Sequence, residues 1–223
     1  PRVAITILKQ AEELLPPTKE PDFELLYQPI YRNYCAAYSE LSEMSKLKEA
    51  LNILRKHCKK KNDLDVFHSY LLACIPRLAN HEDYDNAQKI VEIASKELSQ
   101  MSYDNKQTLE NGKEILGSLI SMRDNIDSLS VVLDSTAVGS EEWIRTSLEL
   151  TNLYIKGSKY DKALFVSKQL IRNFIDNKNE DENYWKALVY ATYCMIETRN
   201  FDDSKFILDL NLKYILKYKG KDS

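Results

Sequence analysis

The chain has 223 residues, with 31 Lys and Arg against 34 Asp and Glu and a net charge of −3, which excludes the strong basic excess of a dedicated nucleic-acid binder. Its 43% hydrophobic and 29% charged residues are ordinary for a folded domain, and no window approaches 18 uninterrupted apolar residues, so no membrane span is expected. Five glycines and six prolines are too few for the many turns of an all-β fold and suit long helices with short connections.

In chain order, Arg2 to Leu15 places Val3, Ile7, Leu8, Ala11 and Leu15 at helical spacing, and Pro16 and Pro17 end that run. The opening PRVAITILKQAEELL lacks an initiator Met and carries Lys9, Glu12 and Glu13, so it is read as the interior of a longer chain and not as a signal peptide. Helical periodicity resumes over Phe23–Leu41, with a kink expected near Pro29. Further helices are predicted at Leu47–Lys60, Leu64–Asn80, Tyr84–Met101, Asn105–Met122, Ile126–Leu133, Glu141–Lys156, Tyr160–Asp176, Asn183–Thr198 and Phe201–Tyr218. Only SVVL at Ser130–Leu133 reads as a strand, and it is too short to carry a sheet.

The helices come in pairs that share a spacing pattern. In YIKGSKYDKAL, Ala163 stands three residues after Tyr160 and nine after Tyr154, with Leu150 four residues earlier. The same spacing gives Tyr84 and Leu78 around Ala87, with Ala94 seven residues on, then Leu47 and Leu41 around Ala50, and Phe201 and Met195 around Ser204. A degenerate unit is expected around Leu119 and Ser128, so the anchors Ala50, Ala87, Ser128, Ala163 and Ser204 are 37, 41, 35 and 41 residues apart. The first helix fits as the second half of an earlier unit, with Ala4 and Ala11 at the matching places. A small anchor lets the second helix approach the first, and the large residue before it plugs the turn, which Gly157 and Ser158 make. Two short helices cannot bury their apolar faces alone, so such units must stack.

This pattern resembles the tetratricopeptide repeat, most closely at Leu150, Tyr154, Tyr160 and Ala163 and at Tyr84, Ala87 and Ala94. Thr151 departs from the small residue usual after the leucine, Tyr38 does so in another unit, and the spacings run long, so a related helical repeat stays open. The expected fold is all-α, a right-handed α-α superhelix of about five to six antiparallel helix pairs, forming one repeat domain over residues 1–223.

The resemblance implies that first helices line a concave groove. Its residues would be Arg32, Cys35 and Ser39, then Ser69, Leu72 and Pro76, and further on Arg145, Leu148, Asn152, Ile155, Lys186, Val189, Tyr193 and Ile196. Chaperone-binding members of the family clamp a C-terminal carboxylate with basic and amide side chains on these faces. Cys35, Ser39 and Leu148 stand where such groups are wanted, so a chaperone-tail receptor is not expected. The partly apolar groove suits an amphipathic helix or an extended segment with aliphatic anchors.

Chemistry finds little support. His57 and Cys58 are adjacent and diverge on a helix, and no second close pair joins them, His68, Cys74 or His81 into a zinc site. Cys35, Cys58, Cys74 and Cys194 read as free thiols in a reducing compartment. No nucleophile elbow or phosphate-binding glycine loop is present, and Glu12-Glu13, Glu141-Glu142 and Asp202-Asp203 suit helix starts or exposed faces. The basic run RKHCKKK, Arg55 to Lys61, and the C-terminal KYILKYKGK could meet nucleic-acid phosphates or simply end helices. Of fourteen tyrosines, Tyr34, Tyr84, Tyr154, Tyr160, Tyr190 and Tyr193 read as packing, and Tyr27, Tyr31, Tyr103 and Tyr184 as exposed contacts.

The expectation is therefore an intracellular, nuclear or cytoplasmic protein-interaction scaffold with no enzyme activity and no cofactor, metal or small-molecule substrate. Its partner would be a protein or peptide, a subunit of the same complex, such as a transcription assembly. A nucleic-acid-binding helical repeat and the peptide-sensing domain of a regulator stay open as alternatives.

Overall fold

The computed structural model describes residues 1–15, 21–60, 62–199 and 204–218, and among these it is entirely helical, with no strand. Ten α-helices follow in order: α1 (Arg2–Glu13), α2 (Pro21–Glu40), α3 (Met44–Lys60), α4 (Leu64–Asn80), α5 (Tyr84–Lys96), α6 (Tyr103–Ser135), α7 (Glu141–Lys156), α8 (Tyr160–Asp176), α9 (Glu182–Thr198) and α10 (Ser204–Tyr218). A short 3₁₀ turn, Leu98–Gln100, follows α5. Among the described residues no helix is long and apolar enough to cross a membrane. The expected break at residues 123–125 is absent: α6 runs unbroken for 33 residues, Ser128 lies exposed along it, and SVVL is helical. The start expected at Phe201 and the stop expected at Pro16 and Pro17 lie outside the described residues.

The starts of α7 and α9 follow capping chemistry. The Ser140 hydroxyl accepts from the Trp143 N–H at 3.1 Å, and the Asp181 carboxylate accepts from the Asn183 and Tyr184 N–H groups at 2.8 and 3.1 Å. Five of the described helix ends share one device. The Lys159 N–H bonds the Tyr154 carbonyl at 2.8 Å and the Ser158 N–H bonds the Ile155 carbonyl at 3.0 Å, the two bonds of a Schellman ending. The same two bonds recur at Ser42–Glu43, Asn62–Asp63, Glu82–Asp83 and Lys178–Asn179. Each such ending has a non-glycine residue in the left-handed region, Ser42, Asn62, Glu82, Ser158 and Lys178, at φ between 51° and 59°. At the α7–α8 joint the strained residue is thus Ser158, while Gly157, at φ −85°, has a backbone any residue adopts.

Packing divides the chain into two compact units, Pro1–Ile120 and Ser121–Ser223. In the first, α2 packs on both α3 and α4, α4 on α5, and α1 on α2. Its core runs from Leu8 and Tyr34 through Leu47, Leu54, Leu71 and Leu78 to Leu109 and Leu116. In the second, α7 packs on both α8 and α9, and α10 on α9, around Trp143, Leu170, Phe174, Leu188 and Met195. A smaller cluster joins Ile126 of α6 to Leu150 and Val166. The anchors Ala50, Ala87 and Ala163 are buried, as are Leu47, Leu78, Tyr84 and Leu150, and Tyr160 is half-buried with its ring edge-on to Tyr193.

Candidate functional site

Two stretches of first helix were expected to offer binding residues in the first unit, and they behave differently. Arg32 lies with its guanidinium 4.1 Å from the centre of the Tyr70 ring, while Cys35 and Ser39 are fully packed, facing Cys74 where α2 meets α4. Those last two residues are therefore core. Their small side chains allow the close approach of the two helices, and neither reaches a ligand.

Ser69, Leu72 and Pro76, by contrast, come together on one groove between α4 and the first half of α6, of about 320 Å³. Leu72, Ile75 and Leu116 are its buried floor, and Ala73 and Ala79 keep it shallow. Gly112 opens it: a β-carbon there would meet only the Ile75 side chain, at 3.6 Å and beyond. Pro76 and Ile115 form exposed apolar lips, Ile115 with 61% of its surface accessible, and Ser69, Thr108 and Asn111 supply a neutral polar rim. The groove is pinned at one end. Asn105 donates to the Asp65 carbonyl and carboxylate at 3.3 and 3.2 Å, and Ser69 donates to Asn105 at 3.2 Å. Donors led by Ser102, with Asn105, hold the Asp65 carboxyl below the usual carboxylate range. The α6 half of this groove escaped the sequence reading, although Leu109, Gly112 and Leu116 at helical spacing carried the signal.

The described residues contain no group of three or more His, Cys, Asp or Glu side chains that could hold a metal. All four cysteines are buried, and burial raises the Cys74 thiol to about 12 and the Cys194 thiol to about 11, which leaves both unreactive at neutral pH. Over its described side chains, Arg55 to Lys59, the run RKHCKKK does not form a continuous basic face; Lys61 and the Lys60 side chain lie outside the described residues. Arg55 pairs with Glu97 at 2.8 Å, His57 stacks on Tyr27, and Cys58 is buried, while Lys56 and Lys59 are exposed. His68, fully buried, lies 3.8 Å from Glu97, and its burial favours the neutral ring. No family model matches this chain, and neither does any curated protein.

In the second unit the expected residues divide by depth. Arg145, Lys186, Val189, Tyr193 and Ile196 are exposed, the last four in one stripe along α9. Leu148, Asn152 and Ile155 on α7 are half-buried, and Leu148 and Ile155 pack on the second core. Tyr193 is thus more open than its packing role predicted. Tyr184 is the reverse: just inside the Asp181 cap, its ring turns inward, edge-on to Phe174, and is buried. Tyr103 is exposed as expected, and Tyr27 and Tyr31 are half-buried. A third apolar feature was not anticipated: Phe165, 63% exposed, stands beside a groove floored by Leu133, Leu150 and Val166.

Proposed function

We propose that this chain is a helical-repeat scaffold, of the tetratricopeptide type or a relative with longer helices, that holds a partner protein by receiving an amphipathic helix. The observation that carries this reading is the α4–α6 groove, with an aliphatic floor, a glycine gap and a neutral rim. Such a groove has no charged group to orient a small polar substrate, and it matches a helix presenting aliphatic residues at i, i+3 or i+4, and i+7. The α9 stripe Val189, Tyr193 and Ile196 is a second contact face of the same character. Right-handed stacking of the pairs belongs to this proposal. So does a place as a subunit of a nuclear or cytoplasmic assembly, since exposed aliphatic and aromatic residues suit lasting partners.

The test selects binders from a displayed library of helical peptides and measures them by fluorescence anisotropy. Gly112→Leu fills the gap and Ile115→Glu charges the lip. Losing one buried aliphatic anchor weakens binding by about 10- to 100-fold, from roughly 1.5–3 kcal/mol per side chain. Selected peptides should carry the aliphatic spacing and lose affinity on both variants. Binding unchanged by both, in folded protein, removes the groove from the reading. Loss confined to Leu148→Glu plus Tyr193→Glu would move the site to the second unit.

A further inference from the structure

Granted the groove reading above, on which this inference rests, we propose that the helix seated between α4 and α6 carries two marks besides its aliphatic anchors. One is a side-chain hydrogen-bond donor that meets the Leu72 carbonyl. The other is a Lys or Arg, one turn beyond the anchors, that meets Asp104.

The donor follows from Pro76. α4 runs unbroken from Leu64 to Asn80 with Pro76 inside it. A proline within a helix has no N–H for the carbonyl four residues back, and its ring crowds that carbonyl. The carbonyl so deprived is that of Leu72. Helix carbonyls point toward the C-terminus, so this one lies between the Leu72 and Pro76 positions, and both residues line the groove. Arg77, the next side chain able to donate, takes the Ala73 carbonyl instead, at 3.5 Å. Water serves the Leu72 carbonyl while the groove is open. A seated helix displaces that water, and one with aliphatic residues alone at this level buries an acceptor without a donor. A site with such a group discriminates far more sharply than one that only counts methylenes.

Charge gives the second mark and orients the occupant. The groove lining holds no charged side chain, but its mouth, at the first turns of α4 and α6, carries Asp65 and Asp104, both exposed. Asp65 stands one turn before Ser69 and Asp104 one turn before Thr108, each on the face that lines the groove. The two helix starts offset about half a charge each, which leaves the mouth negative. Basic side chains of these two helices in the first unit do not neutralise it. Arg77 faces Glu40 of α2, Lys113 pairs with Glu110, and Lys106 lies about 160° round α6 from Thr108. Of the described side chains leading into α4, Lys59 and Asp63 offset each other. At the far end, one turn past Pro76, stands the neutral Asn80. A cation at one end of the occupant is therefore matched at the Asp104 mouth alone.

The probes are displayed helical peptides with leucine fixed at i, i+4 and i+7, and with i+3, i−4 and i+11, which share that face, randomised. The parent chain should select a donor residue at i+3, and Lys or Arg at only one of the two outer positions. Selected peptides are then compared by fluorescence anisotropy with partners in which valine replaces threonine, or methionine replaces glutamine, at i+3. That exchange should weaken binding to the parent about fivefold or more, and to Pro76→Ala by about twofold or less, because alanine returns an N–H to the Leu72 carbonyl. Asp104→Lys should weaken the basic peptides about two- to tenfold and favour peptides with glutamate in place of the cation. The pin at that end uses the Asp65 carboxylate and Asn105, so Asp104→Lys leaves the groove in place. Peptides that lose affinity on Gly112→Leu, yet bind alike with and without the donor, overturn the Leu72 contact. Indifference of such peptides to Asp104→Lys overturns the charge match. In both cases the groove reading stands, whereas finding no peptide sensitive to Gly112→Leu removes the groove and this inference together.

Discussion

The joint between α7 and α8 makes a sharp energetic statement, because its glycine stands one residue away from the strained position. Ser158 adopts φ 56°, where a β-carbon costs about 1–2 kcal/mol relative to glycine. Ser158→Gly removes that strain and returns part of the gain as about 0.4–1 kcal/mol of extra freedom in the unfolded chain. The net expectation is stabilisation by about 0.5–1 kcal/mol. Gly157 lies at φ −85° and ψ 8°, and an added β-carbon would meet the Leu153 carbonyl and the Met122 methyl, each at 3.4 Å. Met122 is long and unbranched and can yield a few tenths of an ångström. Gly157→Ala should therefore be neutral or stabilising by up to about 0.5 kcal/mol, from lost freedom in the unfolded chain. The double exchange should raise stability by about 1 kcal/mol, read as a higher urea midpoint at unchanged slope. Lys178→Gly should gain like Ser158→Gly, and Asn62→Gly less, because asparagine tolerates the left-handed region better. A Ser158→Gly chain less stable than the parent, or a Gly157→Ala chain weakened by more than about 1 kcal/mol, would show that the glycine carries the left-handed turn and that the argument is wrong.

Two other groups give measurable effects. His68 is held neutral by burial, its folded pKa below the ordinary 6.5, so the unfolded chain binds the extra proton. Its contribution is complete above pH 6.5 and is lost as pH falls toward the folded value, so urea midpoints should decline from pH 7 to 5.5, and His68→Phe should flatten that decline. Glu12 of α1 accepts hydrogen bonds from both Tyr31 and Tyr34, the latter at 3.1 Å. Glu12→Ala leaves two half-buried hydroxyls without that acceptor and should cost about 1–3 kcal/mol, with amide exchange in α1 rising ahead of exchange in α4.

How far the sequence could be read depends on what each feature is made of. The anchors Ala50, Ala87 and Ala163 were legible because close helix approach demands a small side chain at a fixed distance from a large one, and both are written in the chain. The misplaced break in α6 has the opposite cause. Four of the five Schellman endings carry no glycine at either the cap or the left-handed position, so a polar run such as Arg123-Asp124-Asn125 offers no chemical mark that separates a joint from an exposed helical turn. Periodicity alone then decided, and it placed a pair where one helix runs on.

The groove was half legible for a geometric reason. A first helix such as α2 is covered by three neighbours, α1, α3 and α4, so its buried arc is broader than the stripe of a two-helix hairpin. Residues one step off the main stripe, Cys35 and Ser39, fall inside that arc, and their small size is what lets α4 approach. Ser69, Leu72 and Pro76 occupy the matching step on α4, yet they line an open groove, because at Gly112 the facing helix presents no side chain to close it. Whether that flank of a first helix is core or binding surface is thus set by the residue opposite. Cys35 and Ser39 meet Cys74 and close, while Leu72 and Pro76 share their groove with Gly112 and stay open. Spacing along one helix cannot distinguish these outcomes, and for that reason Gly112→Leu tests the site more directly than any change on α4.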